Sequence, residues 1–249
     1  MVGPDTLSPG SHTGSPTPRL PAAWRGALTL LAVAGALRVA PPREAKAATI
    51  SGTLTLAEHG DPVADAASAI VYFVPEGGAK TTSAPVEAEI VMRDRRFAPR
   101  TVAVPLGSSV RFPNADPIRH NVFSVSPTGR FDLGLYGTGK GKVQRFDQPG
   151  LVRVFCNVHR SMSAFVLVLD TPFHATPDAG GRFTLAGLPD GPGTLHVWHP
   201  RAEAWSRPLR LPFPDSLRVN LDVTLPAVPP HLDKHGQPYK ETPDDDRYR

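Results

Sequence analysis

The sequence is poor in sulfur and in aromatic side chains. Its 249 residues include one cysteine, Cys156, three methionines and only 7% aromatic residues. A single cysteine excludes an internal disulfide, so the chain is not a small exported scaffold held together by disulfide bonds. The hydrophobic content of 40% still allows an ordinary apolar core.

The chain also lacks a strong excess of one charge outside its beginning. Of the 27 Lys/Arg and 23 Asp/Glu, residues 1–47 hold five basic and two acidic ones, which leaves 22 and 21 for the rest. A nearly balanced remainder, with no basic run interleaved with aromatic residues, excludes a nucleic-acid interface despite the sequence pI of about 9.5.

The sequence has no long apolar run, and its longest apolar segment is a short one near the start. Residues 27–36 are apolar, follow Arg25 and precede the small-x-small segment 45–47. This order is typical of an export signal cleaved near Ala47, so we expect residues 1–47 to be a signal peptide and the protein to be periplasmic or extracellular. A short N-terminal membrane anchor is the alternative. The run is too short to span a bilayer, and we expect no membrane span in the mature chain.

Helical periodicity is lacking, and short bursts of alternating apolar residues take its place. Examples are residues 49–54, 109–112 and 151–155, separated by turn residues, and prolines number 29. This pattern predicts an all-β protein built as a sandwich or barrel. We divide it into flanking segments 48–78 and 171–225, a strand-rich block 84–170, and a proline-rich, charged tail 226–249 that we expect to be disordered.

The single cysteine stands in a segment rich in metal-ligand types. Cys156, His159 and Met162 follow one another at intervals of three residues, and His120 lies 36 residues upstream. Thiolate, imidazole and thioether donors together suit copper, and two His, one Cys and a weak axial Met form the type 1 (blue) copper set. The alternatives are a buried structural cysteine and a zinc site, although Met is a poor zinc ligand.

Residues 84–170 resemble the cupredoxins, especially the amicyanin, plastocyanin and pseudoazurin group. The resemblance is carried by segments 97–99 and 110–114, by His120-Asn121-Val122, and by the C-x₂-H-x₂-M spacing of the short amicyanin ligand loop. It implies a Greek-key sandwich that holds one type 1 copper through His120, Cys156, His159 and axial Met162.

The same resemblance assigns a supporting role to Asn121. In the family, the backbone N–H of the equivalent Asn points at the cysteine sulfur and its side chain ties the two ligand loops together. The resemblance also implies that His159 lies at the surface as the electron exit, and that the partner is a redox protein such as a c-type cytochrome or a dehydrogenase.

The flanking segments resemble a different fold. On the residues of segments 51–66 and 178–191, residues 48–78 and 171–225 are similar to the two halves of a transthyretin-like sandwich of the carboxypeptidase-regulatory type. The copper domain is then inserted in, or fused to, this second sandwich. The whole arrangement resembles exported plastocyanin-like proteins of the methylamine-utilisation type.

Two further histidines, His196 and His199, raise the question of a second metal site. Residues three apart on a strand point to opposite faces, so these two are not expected to chelate one ion.

From the copper-ligand set and the resemblance to cupredoxins we expect a non-enzymatic electron carrier. The alternatives are a copper-binding or delivery protein, and an adhesion or carbohydrate-binding sandwich with an accessory metal domain.

Overall fold

The structure is a computed structural model that describes residues 47–78 and 83–239. Across these residues the regular structure is β-strand, with one short 3₁₀ turn at Ala66–Ser68 and no α-helix, which confirms the all-β prediction. Within the same ranges, no helix has the length and apolar character needed to cross a membrane. The expected signal peptide lies outside the described residues, apart from Ala47.

Eighteen strands follow one another along the residues that the structure describes. The first three are β1 (Ala48–Glu58), β2 (Asp61–Pro62) and β3 (Ile70–Pro75). Ten more are β4 (Glu87–Glu89), β5 (Val91–Arg93), β6 (Arg96–Ala98), β7 (Thr101–Pro105), β8 (Ser109–Asn114), β9 (His120–Ser126), β10 (Gly129–Tyr136), β11 (Gly139–Arg145), β12 (Gly150–Phe155) and β13 (Ser163–Leu169). The last five are β14 (His174–Ala175), β15 (Arg182–Leu188), β16 (Gly191–Trp198), β17 (Trp205–Leu211) and β18 (Leu217–Asp222).

The first three and the last five strands build one pair of sheets, here called the flanking sandwich. One sheet has the order β15-β1-β18 with β2 beside β1, and the other has the order β14-β3-β16-β17. Strand β1 alternates buried and exposed residues over most of its length, as a strand with one face on a core must. Its inward Gly52 leaves room for Phe183, because a Cβ there would lie 2.6 Å from the Phe183 ring.

The ten middle strands build a second pair of sheets, here called the central sandwich. Its sheets have the orders β10-β9-β12-β13-β7 and β11-β8-β5-β6, with β4 beside β8. Valine and phenylalanine side chains from both sheets meet in a core that includes Val110, Phe112, Val122 and Val166. In the described part of the chain, every pairing of β1 and β3 is to β2 or to β14–β18. The likeness of the flanking sandwich to transthyretin stays a prediction.

A small apolar interface joins the two sandwiches. Ile70 of β3 packs with Leu167 and Leu169 of β13, and the Trp198 ring meets Phe165 edge-on at 5.4 Å between centroids. All seven residues of β13 are buried. The strand shows no alternation because one face lies in the central core and the other against the flanking sandwich.

Residues 226–239, here called the C-terminal strap, contain no regular secondary structure. They nevertheless pack against the central sandwich: the Lys234 ammonium binds Asp132, and the His231 ring stacks on Phe155. The sequence suggested a disordered tail because the segment is charged and rich in proline. The structure differs over residues 226–239, and residues 240–249 lie outside the described residues.

Candidate metal centre

Two neighbouring strands bring the candidate ligands together at one end of the central sandwich. His120 is the first residue of β9, and Cys156 directly follows the last residue of β12. The two strands are antiparallel neighbours with Phe155 opposite Phe123. The start of β9 therefore lies beside the end of β12, which places a histidine and a cysteine distant in sequence at the same sheet edge.

The donor atoms of three residues converge on one point. The Nδ1 atoms of His120 and His159 lie 3.1 Å apart, and Cys156 Sγ lies 3.8 Å from the former and 3.7 Å from the latter. Among the described residues this is the one His/Cys/Asp/Glu group arranged to hold a metal ion. His120 and Cys156 are fully buried, whereas His159 is partly exposed.

These distances fit a metal ion. An ion with bonds of about 2.1 Å to nitrogen and about 2.3 Å to sulfur, in a trigonal plane, separates its nitrogen and sulfur donors by about 3.8 Å. The two sulfur–nitrogen distances match this value, and the shorter nitrogen–nitrogen distance corresponds to a narrower angle. Two imidazole nitrogens and a thiol sulfur facing each other in a buried site suit a cation between them.

A buried carboxylate orients His120. Asp116 Oδ2 lies 2.8 Å from His120 Nε2, so a proton on Nε2 leaves Nδ1 free to bind a metal. Asp116 also accepts the backbone N–H groups of Asp94 and Arg95, at 2.6 and 3.0 Å. Burial opposes ionisation, but the Arg95 N–H, His120 and the Asp94 N–H together lower the pKa of Asp116 below its usual value.

The Cys156 sulfur lies among backbone N–H groups. The N–H of Val158 points at Sγ from 3.4 Å, and those of His159 and Asn121 also favour the thiolate. Burial outweighs them and raises the pKa of the Cys156 thiol. A cation bound to the sulfur would offset the cost of a buried thiolate.

Met162 lies at the far end of the ligand loop and is buried. The Met162 carbonyl accepts the Cys156 N–H at 3.3 Å, and the Met162 N–H donates to the His159 carbonyl at 3.1 Å. The loop is thus a closed turn whose two ends meet. Met162 and Cys156 belong to the same apolar cluster, the core of the central sandwich.

Asn121 differs in part from its expected role. Its backbone N–H favours the Cys156 thiolate, as the resemblance implied. Its side chain does not reach the ligand loop, but donates from Nδ2 to Asp132 Oδ1 at 2.7 Å. Asp132 lies on β10, the strand that pairs with β9, so the amide is held within its own sheet.

Sequence reasoning missed several residues around the site. Asp116 stands four residues before His120, and that spacing was a usable signal for a carboxylate that supports the ligand. Lys234 and Tyr239 gave no such signal, because each stands in a polar segment with no periodic pattern, and Asp132 occupies an ordinary polar position between the alternating apolar residues Phe131 and Leu133.

The two extra histidines lie apart from this centre. His196 stacks on Tyr72 with 4.7 Å between ring centroids, whereas His199 is buried beside Asp65 with its Nε2 3.4 Å from the carboxylate. The distinct partners agree with the expectation that the two side chains point to opposite faces of β16 and its extension.

No family model and no curated protein matches the sequence. Solved structures similar to part of the chain are cupredoxins and a copper enzyme. A purple cupredoxin from Nitrosopumilus maritimus is 22% identical over 33% of this chain and 99% of its own, with a TM-score of 0.29. The amicyanin of Paracoccus versutus is 17% identical over 40% of this chain and 97% of its own, with a TM-score of 0.31.

A copper-containing nitrite reductase from Thermus scotoductus is 22% identical over 46% of this chain and 28% of its own, with a TM-score of 0.32. Each likeness covers less than half of this chain, and the identities and TM-scores are too low to support an argument about function. The function is therefore inferred from the geometry of the site itself.

Proposed function

We propose that the protein is an exported electron carrier that holds one type 1 copper through His120, Cys156 and His159, with Met162 as the weak axial ligand. The observation that carries this proposal is the meeting of the two histidine Nδ1 atoms and the cysteine Sγ within 3.1–3.8 Å at a buried sheet edge. When bound, copper supplies a one-electron Cu(I)/Cu(II) couple.

The surrounding residues suit a carrier that keeps one geometry through the redox cycle. Asp116 fixes the His120 ring, the backbone N–H of Val158 points at the Cys156 sulfur, and the turn that ends at Met162 is closed by its own hydrogen bonds. A site held rigid by such supports needs little rearrangement when an electron arrives or leaves.

The exposure of the donors supports electron transfer to another protein. His120 and Cys156 are enclosed, so of the three converging donors His159 alone reaches the surface. Val158 beside it is 44% exposed, and Arg160 on its other side is also exposed. In this proposal a redox protein, such as a c-type cytochrome or a dehydrogenase, docks over His159, and the chain performs no chemistry on a substrate.

Copper reconstitution tests the proposal. Purified protein loaded with Cu(II) is expected to bind one copper per chain and to show intense blue absorption from Cys156-to-copper charge transfer. Cys156→Ser is expected to abolish the colour, because an alcohol oxygen cannot replace the soft covalent sulfur bond. His59→Gln, a change of an exposed histidine of the flanking sandwich, is the control and is expected to stay blue.

The contrary result is equally clear. If the Cu(II)-treated wild type stays colourless while Cys156 still reacts with thiol reagents, the cysteine is a structural or redox thiol and the electron-carrier proposal is wrong. Export is tested separately by the intact mass of protein from the periplasm. A mass that retains residues 27–36 would replace the cleaved signal by an anchor.

A further inference from the structure

The C-terminal strap touches two consecutive residues at the start of the ligand loop. The His231 ring stacks on Phe155 with 3.9 Å between centroids and 10° between planes. The Tyr239 hydroxyl donates to the carbonyl oxygen of Cys156 at 3.0 Å. Phe155 is the last residue of β12, so the strap covers the point where the strand passes into the loop.

The strap also contacts the next residue of the loop, Asn157, and does so through Lys234. The Lys234 backbone N–H donates to Asn157 Oδ1 at 2.8 Å. The ammonium of the same lysine lies 2.7 Å from Asp132 Oδ2, and Asp132 Oδ1 accepts the Asn121 amide. One strap residue therefore connects the loop that carries Cys156 with Asn121, the neighbour of His120.

The contacts of the strap add to the hydrogen bonds that the ligand loop makes within itself. Those hydrogen bonds join Cys156 to Met162 and Met162 to His159. The outer positions of the loop, Val158, Arg160 and Ser161, are exposed. At its other end the strap is fixed by the Arg100 guanidinium, which donates to the Ala227 carbonyl. The strap is therefore fixed at one end and contacts three successive residues, 155–157, at the other. Such contacts restrict the opening of the ligand loop.

We propose that the C-terminal strap is a positioning element of the metal centre, and that Lys234 is its central positioning residue. It joins the two ligand-bearing segments and sets how often the loop opens to expose Cys156. In so far as it concerns copper, this inference rests on the proposed function. Its prediction for the metal-free protein does not depend on any bound metal.

The first experiment measures alkylation of Cys156 by iodoacetamide in the metal-free protein without denaturant. The thiol is fully buried, so its reaction reports opening of the loop. Lys234→Met is expected to speed alkylation about two- to fivefold, the effect of losing one partly exposed ion pair. Removal of residues 226–249 is expected to speed it at least about tenfold, because several contacts are lost together.

Matched variants separate positioning from a general loss of charge or stability. Lys140→Met removes another exposed lysine of the central sandwich and is expected to leave the rate unchanged, whereas Lys234→Arg is expected to restore most of the slow reaction. Hydrogen exchange of the β8 amides, in the opposite sheet of the central sandwich from β9 and β12, is the reference for unfolding of the sandwich that carries Cys156. Equal acceleration of exchange there and of alkylation would overturn the inference, as would an unchanged rate in the truncated chain.

The copper-loaded protein provides a second readout. Loss of copper to a chelator is expected to be faster in Lys234→Met than in Lys140→Met, by the same factor as the alkylation, with a small shift of the blue absorption band. A wild type that binds no copper would end the proposed function but leave the alkylation result standing. A blue wild type whose copper release and alkylation are insensitive to Lys234 and to truncation would retain the function and refute the role of the strap.

Discussion

The two sandwiches of this chain have the same plan and differ in what they bury. Each packs two sheets around aliphatic and phenylalanine side chains. The central sandwich also buries a set of polar residues: Ser108, Asn114, Asp116, His120, Asn121, Ser124, Ser126 and Ser163. In the strands of the flanking sandwich and their immediate extensions, His199 is the one buried polar residue among the described positions, with Thr171 in the connection that leads back to it.

Half of the polar residues buried in the central sandwich, Asn114, Asp116, His120 and Asn121, lie in or beside the candidate metal centre. Removal of polar groups from water costs free energy unless each finds a partner. The central sandwich meets this need locally: the Asn114 amide donates to the Ile118 carbonyl, and its oxygen accepts the Asp116 N–H. These bonds fix the turn that carries Asp116 to His120. Among its described residues the flanking sandwich shows no comparable cluster of buried polar groups, and its core is built of apolar side chains.

The largest expected effect would separate the two sandwiches most clearly. Phe73 is completely buried in the flanking core, and Phe73→Ala is expected to lower the free energy of unfolding by about 3–5 kcal/mol. The blue absorption of the copper-loaded protein is expected to stay unchanged, because Phe73 lies in a different core from the ligands. Urea titration measures the first effect and the absorption spectrum the second.

The control for this change is Val143→Ala, at a partly exposed position of the central sandwich, for which little loss of stability is expected. A changed spectrum in folded Phe73→Ala would show that the flanking core shapes the metal centre. The comparison of two independent sandwiches would then be wrong.

An intermediate effect is expected from the carboxylate behind His120. Asp116→Asn removes the negative charge and replaces one of the two accepting oxygens by an NH₂ group. Either Oδ2, which accepts from Arg95 and faces His120, or Oδ1, which accepts from Asp94, is then lost as an acceptor. Loss of bonds to a buried charged group is expected to cost about 2–3 kcal/mol. The variant is also expected to bind copper less tightly, because the His120 ring loses its orientation.

Chemical denaturation and competition with a chelator measure these two quantities. Asp215→Asn, at an exposed position of the other sandwich, is the matched control and should alter neither. Asp116→Asn with wild-type copper affinity would show that the carboxylate stabilises the fold without positioning the ligand.

The sequence allowed prediction of those parts of the molecule that depend on local pattern. Strand β1 shows the alternation that a half-buried strand must have, and the spacing of Cys156, His159 and Met162 places three donor types in one loop. The all-β class and the grouping of these residues near His120 could be read from such features. The donor set required a second imidazole, for which His120 was a candidate, and the resemblance to cupredoxins supported that choice, since no local rule connects residues 36 positions apart.

The remaining features depend on single contacts between distant segments. The Asp116 carboxylate is held by the turn at Asp94 and Arg95, which both have positive φ without being glycine. Asp is one of the residue types that favour positive φ, whereas Arg95 does not indicate such a turn. The strap binds through one lysine, one tyrosine and one stacked histidine in a charged segment. Composition predicts disorder for such a segment because it contains little apolar surface, and it cannot reveal specific hydrogen bonds.

The smallest expected loss of stability is that of Met162→Gln, which tests whether the apolar core of the central sandwich contributes a ligand to the candidate metal centre. Met162 is 1% exposed and lies in the apolar cluster that also contains Cys156. Met162→Gln nearly conserves the side-chain length and is expected to cost about 1–2 kcal/mol in the metal-free protein, the price of one buried amide. With copper bound, the amide oxygen gains a partner, so the loss of stability should shrink. The reduction potential is expected to fall, because a harder axial donor favours Cu(II).

Met92→Gln is the matched control, because it buries the same amide in the same cluster but lies on β5, away from the ligand loop. It should destabilise the metal-free and the copper-loaded protein alike and leave the reduction potential unchanged. Voltammetry of the three proteins measures the potential. Equal potentials in wild type and Met162→Gln would remove Met162 from the ligand set and leave a centre with two histidines and one cysteine.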